Sequence, residues 1–592
     1  MNILSERILA ILAVLLFSFG SPNAALAAGK LDIMSQSLAI DLTDDVTAIE
    51  ITLVVKALTA STGLLTIAPG LPIVSVTVDG KEGTVTTPYP QYPHVIEISF
   101  GKSINVGTVA EIKVAMVGEL GCSSGPWCMR SKELTYFLPY WGGMNWYLLN
   151  GSAEDPFTAS LEVTVPGNHY VAAWQGSPTK TVANSDGTKT WVFSSGLATE
   201  WLHLYAGDVV EVASHKGVDT RGLFPRGAGR KTAMTSAAEL ASELGTIYGD
   251  MWQFKPTDRI DLVVIPRHPD IGGIGMLGAV FLSEMFLEER LDRLDQAVAH
   301  ELAHTWWGNW ASGDSSGYEY RFFHESFSEY SAWRALGKIR GEDVRNAGNR
   351  MNAVFYMYRR PQGLDVAILD PDVSKSPAMV HAIYHKGATV LRTFEEFLGK
   401  EAFTKVGRNM QGLGLNGLNM STFSSLVKDE IGEMGATLIN QWLKNPGFPQ
   451  LKIQSEVRKD ADGYTLSLTV LQQGDYALQI PLSIVDAAGR REDSMVEVGQ
   501  DSVELKFEAR PILVQVDPHW TMVREVRPAV PGDVSLDGQV DGVDLIEVAL
   551  RNGDYLPGDR RLDGSYDPLY DLNGDYEVSD ADLKQVIAYA VE

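Results

Sequence analysis

Two histidines four residues apart, His300 and His304 in His300-Glu301-Leu302-Ala303-His304, constrain this chain more than any other feature. On a helix that spacing puts both imidazoles on one face, one turn apart, where they can bind a single zinc ion. Glu301 lies about 100° round the helix from His300, close enough to act as general base on a water bound there. Leu291, Leu294, Val298, Leu302 and Trp306 recur at three- and four-residue steps, which predicts one helix with a buried apolar face. Two histidines leave a catalytic zinc one protein ligand short. The best candidate for the third is Glu325, in the stretch from Phe323 to Tyr330, with Glu319 and Glu329 as rivals.

Further on, Tyr384-His385-Lys386-Gly387-Ala388 precedes another helical pattern. These three stretches in this order resemble the gluzincin peptidases, specifically the aminopeptidase N-like family that includes leukotriene hydrolases. The first reads HELAHQWFGN in that family and HELAHTWWGN here, from His300 to Asn309. The second reads NEGFASY there and HESFSEY here, and the third, YEKGA, is matched from Tyr384 to Ala388. The resemblance implies zinc held by His300, His304 and Glu325, with Tyr384 as the catalytic tyrosine. There are two departures. The family places 18 residues between the second histidine and the third ligand, against 20 here, which suggests an insertion in the Ser- and Gly-rich loop 312–317. The family also carries a cleft strand, GGMEYPG or GxMEN, matched here by Gly272-Gly273-Ile274-Gly275-Met276-Leu277-Gly278. The family's glutamate, which grips a substrate's free amino terminus, is replaced by Gly275. That reading gives Gly272, Gly273, Gly275 and Met276 to the substrate and predicts that Gly275 opens room for longer substrates. The alternative is a shifted alignment in which another acid, such as Glu284, does the gripping.

The formal charge of −26 argues against nucleic-acid or anionic-membrane binding as the main role. Residues 1–27 read as a secretory signal: Arg7 in a short basic region, an apolar run Ile8 to Phe17 too short to span a bilayer, and a small-x-small site at Ala25-Leu26-Ala27. No later segment is long and apolar enough to cross a membrane. The chain is therefore expected to be secreted, with no integral membrane segment once the signal is removed. The only cysteines, Cys122 and Cys128, flank Gly and Pro and read as a disulfide, with free thiols as the alternative.

The expected architecture is multidomain α+β. Residues 28–213 form an antiparallel β saddle rich in β-branched runs, and 214–447 a mainly α, thermolysin-like catalytic domain. Residues 448–527 form a small β-sandwich, and Arg527 to Gly532 a linker. Residues 532–592 carry a net charge of −11 and two spaced repeats. Asp533, Ser535, Asp537, Gln539, Asp541 and Asp544 occupy positions 1, 3, 5, 7, 9 and 12 of a calcium loop, with Gly538 at the turn position 6. Asp571, Asn573, Asp575, Glu577, Ser579 and Asp582 repeat the pattern, with Tyr576 where glycine is expected; that residue needs an unfavourable backbone angle. Helices are expected over 545–550 and 583–590. The tail resembles the dockerin module, an EF-hand-like fold, which implies one or two calcium ions and a cohesin-bearing scaffold or cell-surface partner.

The expected function is thus a secreted zinc metallopeptidase. A zinc-activated water attacks a peptide bond, Glu301 moves the proton and Tyr384 steadies the oxyanion. The substrate is a peptide or protein. The alternatives are a non-peptidase zinc hydrolase, since the resembled family includes an epoxide hydrolase, and a catalytically weak binding protein on the same scaffold.

Overall fold

The computed structural model describes residues 31–591 apart from 68–69, 89–94, 121, 123–126, 140–145, 150–154, 227–229, 269–270, 315–316, 360–362, 498–501 and 557–564. The expected export signal, 1–27, lies outside the described residues. The chain divides into two compact units. One runs to Tyr320 and includes Met410–Leu418; the other comprises Arg321–Asn409 and Asn419–Glu592.

The first unit is β-rich. Its largest sheet has eight strands, with Leu31–Asp41 lying between Thr47–Ala57 and Phe157–Pro166. The β-branched runs explain it. Along Thr47–Ala57, Ile49, Ile51, Leu53 and Val55 turn inward while Glu50 and Lys56 face solvent. The inward residues join a core with Leu161, Val163 and Val165, each such side chain contributing about 1.5–3 kcal/mol by burial. Cys122 and Cys128 are disulfide-bonded, with Cα atoms 5.3 Å apart.

A second, five-stranded sheet positions the metal motif. Its order is Val210–Ser214, Asp219–Phe224, Arg259–Ile265, Ala279–Ser283, Gly273–Met276. The middle three strands are parallel, and Val263, Val264, Phe281 and Leu282 are fully buried, as expected of strands covered on both faces. The boundary expected at 213/214 therefore falls inside a strand. A β-branched run gave no sign that it belongs to a different sheet from the saddle. Gly273–Met276 is the edge strand, antiparallel to Ala279–Ser283. Helix Leu294–Ala303, which bears His300 and Glu301, packs against these two strands. Leu291 does not share its buried face: it lies in a preceding 3₁₀ turn, Leu291–Arg293, and is 54% exposed. The tighter turn takes it out of the 100° step on which the periodicity rests.

The second unit begins with helices, among them Phe327–Arg340, Glu342–Arg359 and Ala388–Leu398. Three of its segments, Phe322–Ser326, His381–Gly387 and Ile439–Leu443, are π-helical. A β-sandwich follows. One sheet is ordered Val503–Phe507, Gly463–Gln473, Gln450–Asp460, Glu525–Pro528, the other Arg491–Glu497, Gln479–Asp486, Pro511–Val516. The expected linker is corrected here. Arg527 and Pro528 end a sandwich strand parallel to Gln450–Asp460, and Ala529 N–H donates to the Ile453 carbonyl. The tail's helices are Gly542–Ala549 and Asp580–Val591, each starting earlier than the sequence suggested, where Asp541 Oδ1 accepts from Val543 N–H and Ser579 Oγ from Ala581 N–H. Among the described residues no helix is long and apolar enough to cross a membrane.

Candidate metal centre

One donor atom each from His300, His304 and Glu325 lies within 4.8 Å of the others, and all three residues are buried. Among the described residues this is the only such group of three or more His, Cys, Asp or Glu, and it contains neither Glu319 nor Glu329. Glu329 is used elsewhere: its Oε1 accepts from Trp333 Nε1 at 2.9 Å and Asn352 Nδ2 at 3.3 Å. The imidazoles of His300 and His304 stand edge to face with centroids 4.9 Å apart. His304 Nδ1 is 3.1 Å from the Trp307 carbonyl oxygen. With the proton on Nδ1 to make that bond, Nε2 is left as the ligand atom. Two imidazoles and one carboxylate leave a tetrahedral ion an open fourth position, the donor set of a catalytic zinc.

The helix is held from several sides. Tyr248 Oη donates to the Ala299 carbonyl at 2.8 Å. Asn309 Nδ2 donates to both the His304 and Gly275 carbonyls, at 2.9 and 3.1 Å, tying the helix end to the edge strand. Trp306, Trp307 and Trp310 are packing residues: their rings lie against Tyr248, Trp252 and Phe254 respectively.

The edge strand gives a correction. A Cβ at Gly275 would overlap the Glu301 carbonyl oxygen and lie 2.6 Å from His304 Cβ; one at Gly273 would lie 2.7 Å from Glu301 Cγ. Gly275 therefore opens no room for substrate, because the metal helix fills the space a side chain would take. The same crowding leaves no place for a glutamate. Nor is Glu284 a free substitute: its carboxylate is 2.9 Å from Arg230 Nη1.

In the second unit, Glu325 sits in the π-helical turn Phe322–Ser326 and Tyr384 in His381–Gly387. Such widened turns are frequent at functional sites because they re-aim side chains. The two segments cross closely: Ser326 Oγ donates to the Ile383 carbonyl at 2.7 Å, and a Cβ at Gly387 would overlap that same Oγ. Glu325 Oε1 lies 3.5 Å from Arg321 Nη1. The sequence reading missed Ser326 and Gly387, whose pairing is a long-range contact. It also missed that His385, standing where the resembled motif has glutamate, lies Nδ1 to Nδ1 with His381 at 3.1 Å.

In the tail, Asp533, Ser535, Asp537 and Asp544 are buried. Burial, reinforced by Asp544, pushes the Asp533 carboxyl up to about 7. Burial pushes Asp537 up to about 6 and raises Asp544 as well. Gly538 has φ +90° at the turn position, and Tyr576 adopts φ +71°, the angle its place in the second loop demands. In that loop Asp571 and Asp582 accept backbone N–H bonds, while Asn573 and Asp575 face solvent.

Residues 237–411 match the Peptidase family M1 domain. Among curated proteins the chain is similar to "Alanine/arginine aminopeptidase" of Saccharomyces cerevisiae, 24% identical over 239 residues, covering 38% of this chain and 27% of the relative. It is also similar to "Probable aminopeptidase 1" of Sulfurisphaera tokodaii, 21% identical over 327 residues, covering 53% of this chain and 40% of the relative. The chain thus spans well under half the length of these two relatives. Among solved structures it is similar to Legionella pneumophila aminopeptidase A in complex with aspartic acid, with TM-score 0.65 and 15% identity, covering 88% of this chain and 61% of that one. An M1 zinc metallopeptidase from Deinococcus radiodurans, a mutant bound to a Tyr-Ser-Ala substrate, matches with TM-score 0.56 and 18% identity, covering 70% and 94%. The fold is that of the M1 aminopeptidases. The domain match over residues 237–411 and the donor set of His300, His304 and Glu325 fall in the same part of the chain.

Proposed function

We propose that this chain hydrolyses peptide bonds as a zinc-dependent metallopeptidase. The convergence of His300, His304 and Glu325, with Glu301 on the same helix, carries that reading. His300, His304 and Glu325 would hold zinc, which when bound would supply Lewis acidity and make water a better nucleophile at neutral pH. The Glu301 carboxylate takes the proton from the attacking water and returns it to the leaving nitrogen. The Tyr384 hydroxyl donates a hydrogen bond to the oxyanion. The edge strand Gly273–Met276 offers backbone groups along which an extended peptide can lie.

The substrate's amino terminus is read weakly in this proposal. A glutamate paired with an ammonium in a partly dry cleft is worth a few kcal/mol, and the strand position that carries it in the resembled family cannot hold a side chain here. Cleavage of blocked or internal bonds is the expected result. One peptide offered with a free and with an acetylated amino terminus should be cut in both forms. Complete protection by acetylation would show an ordinary aminopeptidase and refute this part of the proposal.

We further infer that the protein is exported and held to a scaffold or cell surface by its tail. The signal-like amino terminus and the Cys122–Cys128 disulfide support export, since disulfides persist in oxidising compartments. In the first tail loop, carboxylates raised by burial and mutual repulsion fit a divalent cation, and Gly538 supplies the turn. Calcium at a hundredfold excess over its Kd stabilises a folded site by about 2.7 kcal/mol. Thermal unfolding should therefore shift upward with calcium and less so in Asp537→Ala. A melting temperature indifferent to calcium contradicts the assignment. Ile546, Leu550, Ile587 and Val591, on or next to the two tail helices, are exposed apolar residues suited to a protein partner.

A further inference from the structure

The tail makes specific contacts with its own chain. The first loop lies on the β-sandwich: Arg510 Nη2 donates to Asp537 Oδ2 and Gln539 Oε1, both at 2.8 Å. Val514 N–H donates to the Ser535 carbonyl at 2.7 Å. A Cβ added at Gly538 would lie 2.5 Å from the Ser455 carbonyl oxygen, so the loop's turn is pressed onto a sandwich strand and only glycine fits. The second loop reaches helix Glu342–Arg359. The rings of Tyr566 and Tyr576 flank Tyr358 at centroid distances of 6.3 and 5.9 Å. Both tyrosines are anchored to the first acid of that loop: Tyr566 Oη donates to Asp571 Oδ2 at 2.7 Å, and Tyr576 N–H to the same oxygen at 2.8 Å. One turn or less away on the same helix, the Phe355 ring lies tilted against His385 with centroids 5.5 Å apart, and Tyr356 carries the Lys386 ammonium at 5.2 Å. These two are the residues that follow Tyr384.

We propose that the surface formed by Ser455, Arg510, Val514 and Tyr358 is a docking face whose partner is the chain's own tail, so that the tail braces the helix supporting the Tyr384 segment. Each contact is modest by itself: a charge-assisted hydrogen bond to Asp537 and one aromatic pair on either ring that meets Tyr358. Spread over two loops and two body elements, they hold the tail without the peptide link. The brace draws on the proposed catalytic role of Tyr384 only for its consequence in turnover, and the test below does not read turnover.

The test uses the full chain with a specific protease site inserted after Val530, cut and then gel-filtered in calcium. The tail should co-elute with the body. In amide exchange, helix 342–359 and segment 381–387 should exchange at least tenfold faster in full-length Tyr358→Ala than in wild type, with Tyr358→Phe, which keeps the ring, close to wild type. A tail that separates in calcium overturns the proposal. So does exchange in Tyr358→Ala that is unchanged over both segments, and so does a Tyr358→Phe variant as unprotected as Tyr358→Ala. The same readings stand if the protein proves to have no peptidase activity, so the two proposals fail separately.

Discussion

Glu301→Gln is expected to bind zinc at full stoichiometry, fold normally and lose about a hundred- to ten-thousand-fold in kcat, the contribution of a positioned general base. Glu301 is not one of the three converging donors, so its replacement leaves the metal site intact. The amide has nearly the volume of the carboxylate, which matters because Gly273 lies directly against the Glu301 side chain. KM should change little, since the carboxylate acts on the proton rather than on the bound peptide. Zinc analysis with steady-state kinetics on one peptide checks this. Near-normal turnover at full zinc occupancy would remove Glu301 from the mechanism.

Gly275→Ala is expected to damage both the fold and the metal site with a single methyl. The added carbon would overlap the Glu301 carbonyl oxygen, on the metal-binding helix, and crowd Cβ of His304, the residue that caps that helix. Strand and helix would have to part, straining the Asn309 bridge between the Gly275 and His304 carbonyls. Overpacking of this kind costs about 1–3 kcal/mol, occasionally more. Because the shift acts through His304, zinc affinity should fall at least tenfold. Gly275→Glu, which restores the acid of the resembled family, should lose zinc rather than gain selectivity for a free amino terminus. Unchanged zinc affinity and melting temperature in Gly275→Ala would contradict the close packing.

What was legible in the sequence was local. The metal helix announced itself because both ligands and the base lie within one turn and a half. The two acidic loops could be placed because Asp537, Asp541 and Asp544 sit at fixed offsets from Asp533, and Asp575 and Asp582 from Asp571, and a helix does follow each of them. The positive φ of Tyr576 followed from its place in that register. What failed involved either a change of helix pitch or a contact far along the chain. Leu291 was placed on a face that a 3₁₀ turn removes, and the π-helical turns around Glu325 and Tyr384 leave no mark in hydrophobic periodicity. Glu325 itself could be chosen over its neighbours only by resemblance. The packing under Gly275, the Ser326–Gly387 crossing and the seat of the tail on Ser455, Arg510 and Tyr358 join residues tens of positions apart or more. A glycine in sequence reads as freedom, whereas Gly275 and Gly387 are glycines because another part of the molecule already fills the space.

The most direct test of the zinc-peptidase reading is digestion of a mixed peptide library by the purified chain, first stripped of metal and then titrated with zinc, with cut positions mapped by mass spectrometry. Cleavage should be absent without metal, rise linearly to a plateau at one zinc per chain, and vanish at the same stoichiometry in Glu301→Gln. A folded, zinc-saturated protein that cuts no peptide in the library would contradict it.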